Sequence, residues 1–178
     1  GDRSKTQAIT LPRPNIFCRG EGVNEIIKVF EETPRLRTLC GFEEGVQQID
    51  WKDSGKGAAD VALLSAELKA CRAVAALNSL RCGNNPGMVG ELDNYGRLKT
   101  PDAHAEVFKQ LTDSLKTSQV TYVDFSSCGI GGVALGHLSD WARDATAASV
   151  EVIKLDGNPI GYPSKVSLKP GAKAGVAI

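Results

Sequence analysis

The two histidines, His104 and His137, are the first residues to test for chemistry, because imidazole often serves as a general base or a metal ligand. Neither stands at a spacing to cysteine, serine or carboxylate residues that is typical of a triad or a metal site. The adjacent carboxylates Glu43 and Glu44 are neighbours only in sequence, and such neighbours do not face each other on a helix. The sequence therefore predicts surface histidines on two helices, no catalytic residue, no metal and no enzyme.

Two glycine-containing segments, GNNPG at 83–87 and DGNPIG at 156–161, are the next candidates, because glycine-rich loops can hold phosphates. Neither contains the Gly-x-x-x-x-Gly-Lys-Ser/Thr pattern that a phosphate-binding loop requires. Each follows a predicted strand at a point where the chain must turn. The sequence predicts turns here and no cofactor.

The chain has five cysteines, an odd number, and no Cys-x-x-Cys pair. This favours reduced thiols acting as small core residues over a disulfide framework or a zinc site. The first ten residues, GDRSKTQAIT, contain no apolar core of a signal peptide. Together these features predict an intracellular, cytoplasmic protein. The cysteines are Cys18, Cys40, Cys71, Cys82 and Cys128.

Length and charge exclude several classes of function. The chain has 178 residues, of which 42% are hydrophobic, and this suits one domain, 1–178, with a sizeable core. Its 21 basic and 21 acidic residues balance, so no global field attracts nucleic acid. No apolar run is long enough to span a bilayer. We expect a protein partner, no nucleic acid and no membrane span.

An uneven spacing of apolar residues indicates which strands and helices position the candidate residues. In VTYVDFSSCGI the spacing is three, two and three, through Val120, Val123, Phe125 and Cys128. A strand alternates every second residue, and a helix returns every three or four. Three other segments share the pattern and end on Ser, Asn or Cys, and a weaker copy carries Ile9 and Leu11. The three segments contain Val46, Ile49 and Trp51; Leu77, Leu80, Cys82 and Asn85; and Val150, Ile153, Leu155 and Asn158.

Apolar stripes at helical period separate these segments. One of them has a start signal, with Thr100 as N-cap, Pro101 at the first helical position and Asp102 in the first turn. The stripes are Val23, Ile26 and Phe30; Val61, Leu64 and Leu68; Ala103, Val107, Leu111 and Leu115; and Leu135, Leu138, Ala142 and Ala145.

The pattern resembles the leucine-rich repeat, Leu-x-x-Leu-x-Leu-x-x-Asn/Cys-x-Leu, in its ribonuclease-inhibitor-like strand–helix class, over roughly residues 6 to 161. The resemblance implies an α/β solenoid with a parallel sheet on the concave side, helices on the convex side, and about five irregular repeats that stack because none buries its own apolar face. The final Asn or Cys is expected to turn inward and satisfy backbone groups. The expected repeats are 6–45, 46–76, 77–119 with an inserted loop 86–101, 120–149 and 150–161, followed by a tail 162–178.

Residues between the inward strand positions are expected to line the concave face and to bind a partner, because tyrosine and arginine are common interface anchors. The alternative is a solvated sheet face whose ion pairs contribute little. The candidate partner-binding residues are Asp50, Lys52, Arg81, Tyr122, Asp124, Lys154 and Asp156.

The insertion is a second candidate for partner binding. Residues 86–101 read as a loop or short hairpin with DNYG as its turn. Its apolar residues Met88, Leu92, Tyr95 and Leu98 either contact a partner or fold back as a small satellite core. The tail is a cap, an extended arm or a truncated repeat.

The resemblance implies a non-catalytic protein–protein interaction module, or scaffold, that binds through the concave face, the insertion or both. One alternative is a structural or linker subunit of a larger assembly, held by its open solenoid ends. Another is a GTPase-regulating or enzyme-inhibitor module, which rests on fold analogy alone.

Overall fold

The structure is a computed structural model that describes residues 20–144 and 150–161. The described residues form a mixed α/β fold with four helices and six strands. The expected copy at Ile9 and Leu11, Cys18, Ala145 and the tail 162–178 lie outside the described residues. The elements are α1 Gly20–Glu32, β1 Gln48–Asp50, α2 Ala58–Ala70, β2 Ser79–Arg81, β3 Glu91–Leu92, β4 Leu98–Thr100, α3 Ala105–Leu115, β5 Tyr122–Asp124, α4 Gly132–Arg143 and β6 Val152–Lys154.

The main sheet contains four parallel strands in the order β1-β2-β5-β6. The same backbone hydrogen bonds join each neighbouring pair and continue beyond the three-residue strands. In these bonds Trp51 N donates to Arg81 O at 2.7 Å, Cys82 N to Asp124 O at 2.7 Å, and Phe125 N to Lys154 O at 2.9 Å. β1, β2 and β5, each with the helix that follows it in the chain, therefore form strand–helix units, and each unit pairs with the next strand of the sheet in one fixed register.

The core lies between one face of this sheet and the helices α2, α3 and α4. The central residue of each of the strands β1, β2 and β5 is buried. Phe108 of α3 packs edge-on against Phe125, with the ring centroids 5.2 Å apart. The three-two-three spacing is explained by this arrangement, because Val120, Val123 and Cys128 are buried as well. The opposite face of the sheet carries no helix among the described residues, and we call it the open face.

The last residue of the spacing pattern turns inward, as expected. Asn85 Nδ2 donates to Trp51 O of the preceding unit at 2.7 Å and to Cys82 O of its own unit at 2.7 Å. Asn158 repeats both bonds two strands further along the sheet, to Phe125 O at 2.7 Å and Leu155 O at 3.0 Å. Between them, Cys128 Sγ contacts Cys82 O at 3.1 Å. These polar side chains satisfy carbonyl groups where each strand ends.

A residue with positive φ follows each strand at the same offset and turns the chain. These φ angles are 53° at Asp53, 60° at Asn84, 51° at Ser127 and 71° at Gly157. Aspartate, asparagine and glycine tolerate this left-handed region better than other residues. The positive φ angles at Asn84 and Gly157 therefore explain why the two glycine-containing segments form turns.

The predicted start of the third helix is wrong. The helix α3 begins at Ala105 with His104 as its N-cap, four residues after the expected cap Thr100. Thr100 belongs instead to β4, where it pairs with Glu91 of β3. Asp102 has φ of 59°, which a right-handed helix does not contain. Residues whose types are typical of a helix start therefore belong to the hairpin or to the turn that follows it.

The expected apolar stripes are correct in part. In α2, Val61, Leu64 and Leu68 are all buried. Two expected core positions are wrong, because Ile26 on α1 is 43% exposed and Ala142 on α4 is also exposed. Ala103 lies outside α3 and is exposed. The buried faces of the last two helices are formed by Ala105, Phe108, Leu111, Thr112 and Leu115, and by Ala134, Leu138 and Trp141.

The insertion is a hairpin of antiparallel strands β3 and β4, which confirms the hairpin interpretation. Its turn is DNYG, since Gly96 N donates to Asp93 O at 3.0 Å. The base of the hairpin packs against the loop after β5, where Val89 N donates to Cys128 O at 3.2 Å. A side chain on Gly129 would lie 2.6 Å from Pro86 O, and its φ is 79°, so this contact requires glycine.

A buried carboxylate on α2 holds the connector between α1 and β1. Glu67 is fully buried, and its Oε1 accepts hydrogen bonds from Thr38 Oγ1 at 2.6 Å, Cys40 N at 2.8 Å and Leu39 N. Arg72 also fixes this region by donating to Leu36 O at 2.7 Å. Polar side chains of α2 and of the residue Arg72 thus anchor this connector.

Within the described ranges, no helix has the length and apolar character needed to cross a bilayer.

Candidate functional site

Four charged residues stand side by side across the open face. The strand register aligns Asp50 with Arg81, Arg81 with Asp124, and Asp124 with Lys154. Neighbouring strands lie about 4.8 Å apart, so the four side chains form a continuous line of alternating sign. We call these four residues the charge row.

Local hydrogen bonds orient the two carboxylates of the charge row. Asp50 Oδ1 accepts a hydrogen bond from Lys52 N at 3.0 Å, and Asp124 Oδ1 accepts one from Ser126 N at 3.0 Å. Arg81 Nη1 lies 3.9 Å from Asp50 Oδ2, with side chains 48% and 59% exposed. Such an exposed pair contributes little to stability, so both groups can still interact with a partner.

Tyr122 lies between the two cations of the charge row. Its ring centroid is 5.5 Å from Arg81 Cζ and 5.6 Å from Lys154 Nζ. A hydrogen bond with Tyr122, together with the nearby charge of Asp124, raises the pKa of Lys154 above its ordinary value. Lys154 is therefore positively charged at neutral pH, and an aromatic ring held by two cations forms the centre of the site.

The rows on either side of the charge row complete the open face. On one side the register aligns Gln48, Ser79, Tyr122 and Val152. On the other side, Lys52 and Asp156 stand at opposite margins, two residues beyond Asp50 and Lys154, and the bonds between neighbouring strands continue there through Asp53 N to Gly83 O at 3.0 Å and Ser127 N to Asp156 O at 2.8 Å. The structure thus brings the expected concave-face residues to one surface, and their binding to a partner stays a prediction. The exposed Val152 is an apolar neighbour of Tyr122 on the same face.

The four expected insertion residues occupy different environments. Met88 is fully buried in the main core, so its side chain does not contact a partner, and this expectation is wrong. It is buried because the chain has not yet left the core where the hairpin begins. Leu92 and Leu98 lie close to the glycines 87 and 90 of their own loop. Only Tyr95, which is 81% exposed at the turn, projects fully into solvent.

Arg97 is a hairpin residue that no sequence pattern indicates as part of a site. Its guanidinium lies 5.1 Å from the Tyr95 ring centroid, and its side chain is exposed. It lines a cavity of about 340 Å³ between the hairpin and the turns that follow β2, β5 and β6. The cavity places the hairpin next to the carboxyl ends of the strands, beside the open face. Its lining residues are Asn84, Pro86, Gly96, Arg97, Leu98, Ser127, Gly129 and Gly157.

The remaining chemistry-bearing residues do not assemble into a second site. His104 caps α3, and His137 lies on α4 beside a small cavity shared with Lys109 and Lys116. Within residues 20–144 and 150–161, no group of three histidine, cysteine or acidic residues is placed to hold a metal ion. Burial raises the pKa of Cys128 to about 12, so its thiol is protonated at neutral pH and is a poor nucleophile.

No protein-family model, curated protein or solved structure matches this chain.

Proposed function

We propose that the chain is a leucine-rich repeat protein of the strand–helix class and acts as a non-catalytic protein–protein interaction module. In this proposal the open face is the concave face of a solenoid of about five repeats. The partner binds across the charge row and Tyr122, and the neighbouring hairpin contributes Tyr95 and Arg97.

The repeat assignment is supported by equivalent hydrogen bonds in successive strand–helix units. Asn85, Cys128 and Asn158 each contact a carbonyl of the unit before their own, at positions 51, 82 and 125. These carbonyls follow one another in the strand register, so the three contacts are the same contact repeated along the sheet. Units that depend on their neighbours in this way are typical of solenoids.

The single observation that carries the binding role is the position of Tyr122 between Arg81 and Lys154 on a sheet face that no described helix covers. Tyrosine and arginine are enriched among residues that dominate binding energy at interfaces. Their exposed charges contribute little to the fold itself. The arrangement is thus better suited to recognition than to stability.

The test is co-purification from native extract with the wild type and the variant Arg81→Glu/Tyr122→Ala/Lys154→Glu. A matched control, Lys28→Glu/Val29→Ala/Lys69→Glu, makes the same charge change on the exposed sides of α1 and α2. Circular dichroism checks that all three proteins are folded. We expect a partner that the wild type and the control retain and the open-face variant loses. A partner that stays bound to the open-face variant contradicts the proposal.

A second candidate function is that of a structural subunit in a larger assembly, favoured by the position of β6. This strand is the last of the main sheet among the described residues, and Val152 on it is exposed. The unpaired edge of a strand can accept a strand from another chain. Partners retained by the open-face variant but lost on adding Ile153→Pro, which removes a backbone donor from β6, favour this role.

A further inference from the structure

We propose that the open face binds a second copy of this chain, sheet against sheet, about a two-fold axis that runs parallel to the strands between β2 and β5. This inference rests on the proposed function, because it takes the open face to be a binding surface. It specifies the partner as an identical protein.

The charge row is complementary in charge to a second copy of itself that crosses the strands in the opposite order. A two-fold axis between β2 and β5 places β1 opposite β6 of the second copy and β2 opposite the second β5. Asp50 of each copy then faces Lys154 of the other copy, and Arg81 of each copy faces Asp124 of the other. Each of these two pairs therefore occurs twice in the dimer. The alternation of sign along four strands is what makes every one of these pairs attractive.

The rows beside the charge row obey the same symmetry. Lys52 and Asp156 stand at opposite margins of the face, so the axis brings each one opposite the other. Thus all six ionised groups on the face have an oppositely charged residue in the second copy, and no like charges meet. Tyr122, the largest side chain near the axis, faces the small Ser79. An interface in which one patch complements itself is the usual form in a symmetric dimer.

The size of the face sets the strength of the dimer. Four strands about 4.8 Å apart, each extended to about six residues by the hydrogen-bonded residues that flank it, give roughly 400 Å² for each copy, with the two sheets about 10 Å apart. Stable interfaces bury about 800 Å² on each partner. We therefore expect a weak dimer whose formation depends on protein concentration and weakens with added salt, since charge pairs provide much of the attraction.

Charge-reversal variants distinguish attraction between two copies of the chain from ion pairs within a single sheet. In Arg81→Asp, residue 81 faces Asp124 of the second copy, and two like-charge contacts result. In Asp124→Arg, residue 124 faces Arg81 with the same result. When the two variants are mixed, both contacts become attractive again, although each protein keeps its own altered row. Asp50→Lys and Lys154→Asp form a second pair with the same logic at the margins, where both side chains are exposed.

The experiment is sedimentation equilibrium of the wild type, each single variant and each equimolar mixture, at about 0.1 M and about 1 M salt, between which the Debye length falls from about 10 to about 3 Å. We expect wild-type dimers at low salt, an association constant lowered more than about tenfold in each single variant, and dimers restored in the mixtures. A monomeric wild type overturns the proposal, as does a dimer that the single variants retain or the mixtures fail to restore. If the wild type is monomeric but the co-purified partner is still lost in the open-face variant, only this inference fails and the recognition role stands.

Discussion

The carboxylate of Asp102 accepts a hydrogen bond from the backbone N–H of Gly131 at 2.7 Å, across 29 residues of sequence. The same carboxylate accepts hydrogen bonds from Val133 N at 2.8 Å and Ala134 N at 3.2 Å. It thereby satisfies the free donors at the start of α4, a role that a residue directly before the helix usually fills. The hairpin and α4 are joined by this contact.

Replacing Asp102 with glycine is expected to lower the free energy of unfolding by about 1–2 kcal/mol, because the cap is lost while the positive φ is retained without strain. Asp102→Asn keeps an acceptor and is expected to lose less. Chemical denaturation measures both, and hydrogen exchange at Val133 and Ala134 should speed up in the glycine variant. Equal stability of the glycine variant and the wild type contradicts the capping role.

Asn85→Ala is expected to destabilise the protein by about 3 kcal/mol. The Asn85 side chain is buried, accepts a hydrogen bond from Lys56 N at 2.9 Å and donates to three carbonyls, and the substitution removes all of these bonds. The control is Asn78→Ala at the start of the same strand, where the side chain is exposed. Thermal unfolding should show a clear loss for the first variant and almost none for the second.

Glu67→Ala is expected to release the connector from α2 and to lower stability by about 2–3 kcal/mol, since several backbone and hydroxyl donors lose their acceptor. Glu67→Gln retains an amide oxygen for the same donors and should behave more like the wild type. Limited trypsin digestion measures the release directly, because Arg35 and Arg37 lie in the connector. Unchanged cleavage at both arginines in the alanine variant would show that other contacts hold the connector.

Native thiol reactivity is expected to differ between the described cysteines. Cys71 is exposed and should react quickly with iodoacetamide at about pH 8. Burial and the nearby charge of Glu67 raise the pKa of Cys40 to about 12, and burial raises the pKa of Cys82 well above its usual range, so these thiols should react slowly. Peptide mapping by mass spectrometry gives each rate. Modification of Cys82 as fast as Cys71 in the folded protein contradicts its place in the core.

Asp113 is expected to make stability depend on pH in the acid range. Hydrogen bonds from Lys109 and Lys116 lower its pKa below the ordinary value of 3.8. A carboxyl whose pKa falls on folding stabilises the protein above its unfolded pKa, and this contribution is lost as pH falls through the folded value. The wild type should therefore be more stable than Asp113→Asn at pH values above 3.8, and the difference should shrink as the pH falls below that value. A difference that persists in acid indicates a contribution other than charge.

The strand positions could be predicted from sequence because each depends on a short local pattern. At Val120, Val123 and Phe125 the burial follows directly from the spacing, and the inward turn of Asn85 follows from the residue type at its end. The same pattern led to the open face, since residues between buried strand positions must point the other way. The strand register places Asp50, Arg81, Tyr122, Asp124 and Lys154 on that face, and their binding to a partner stays a prediction.

The start of α3 could not be predicted in this way, because local propensity and tertiary contacts disagree at Asp102. Thr100, Pro101 and Asp102 have the residue types of a helix start, yet the hairpin pairs Thr100 with Glu91 and α4 uses the Asp102 carboxylate. Met88 was misassigned for a related reason, since apolar residues of an insertion have no repeat position that indicates their burial. These contacts join residues far apart in sequence, and a local pattern does not contain them.

The side-chain contacts of Asn85, Cys128 and Asn158 with neighbouring units all reach towards the N-terminus. Because a ribosome releases the N-terminal part of a chain first, the acceptor carbonyl of each of these three contacts leaves the ribosome before its donor side chain does. These contacts therefore give the sheet a polarity, in which each later unit donates to the unit before it.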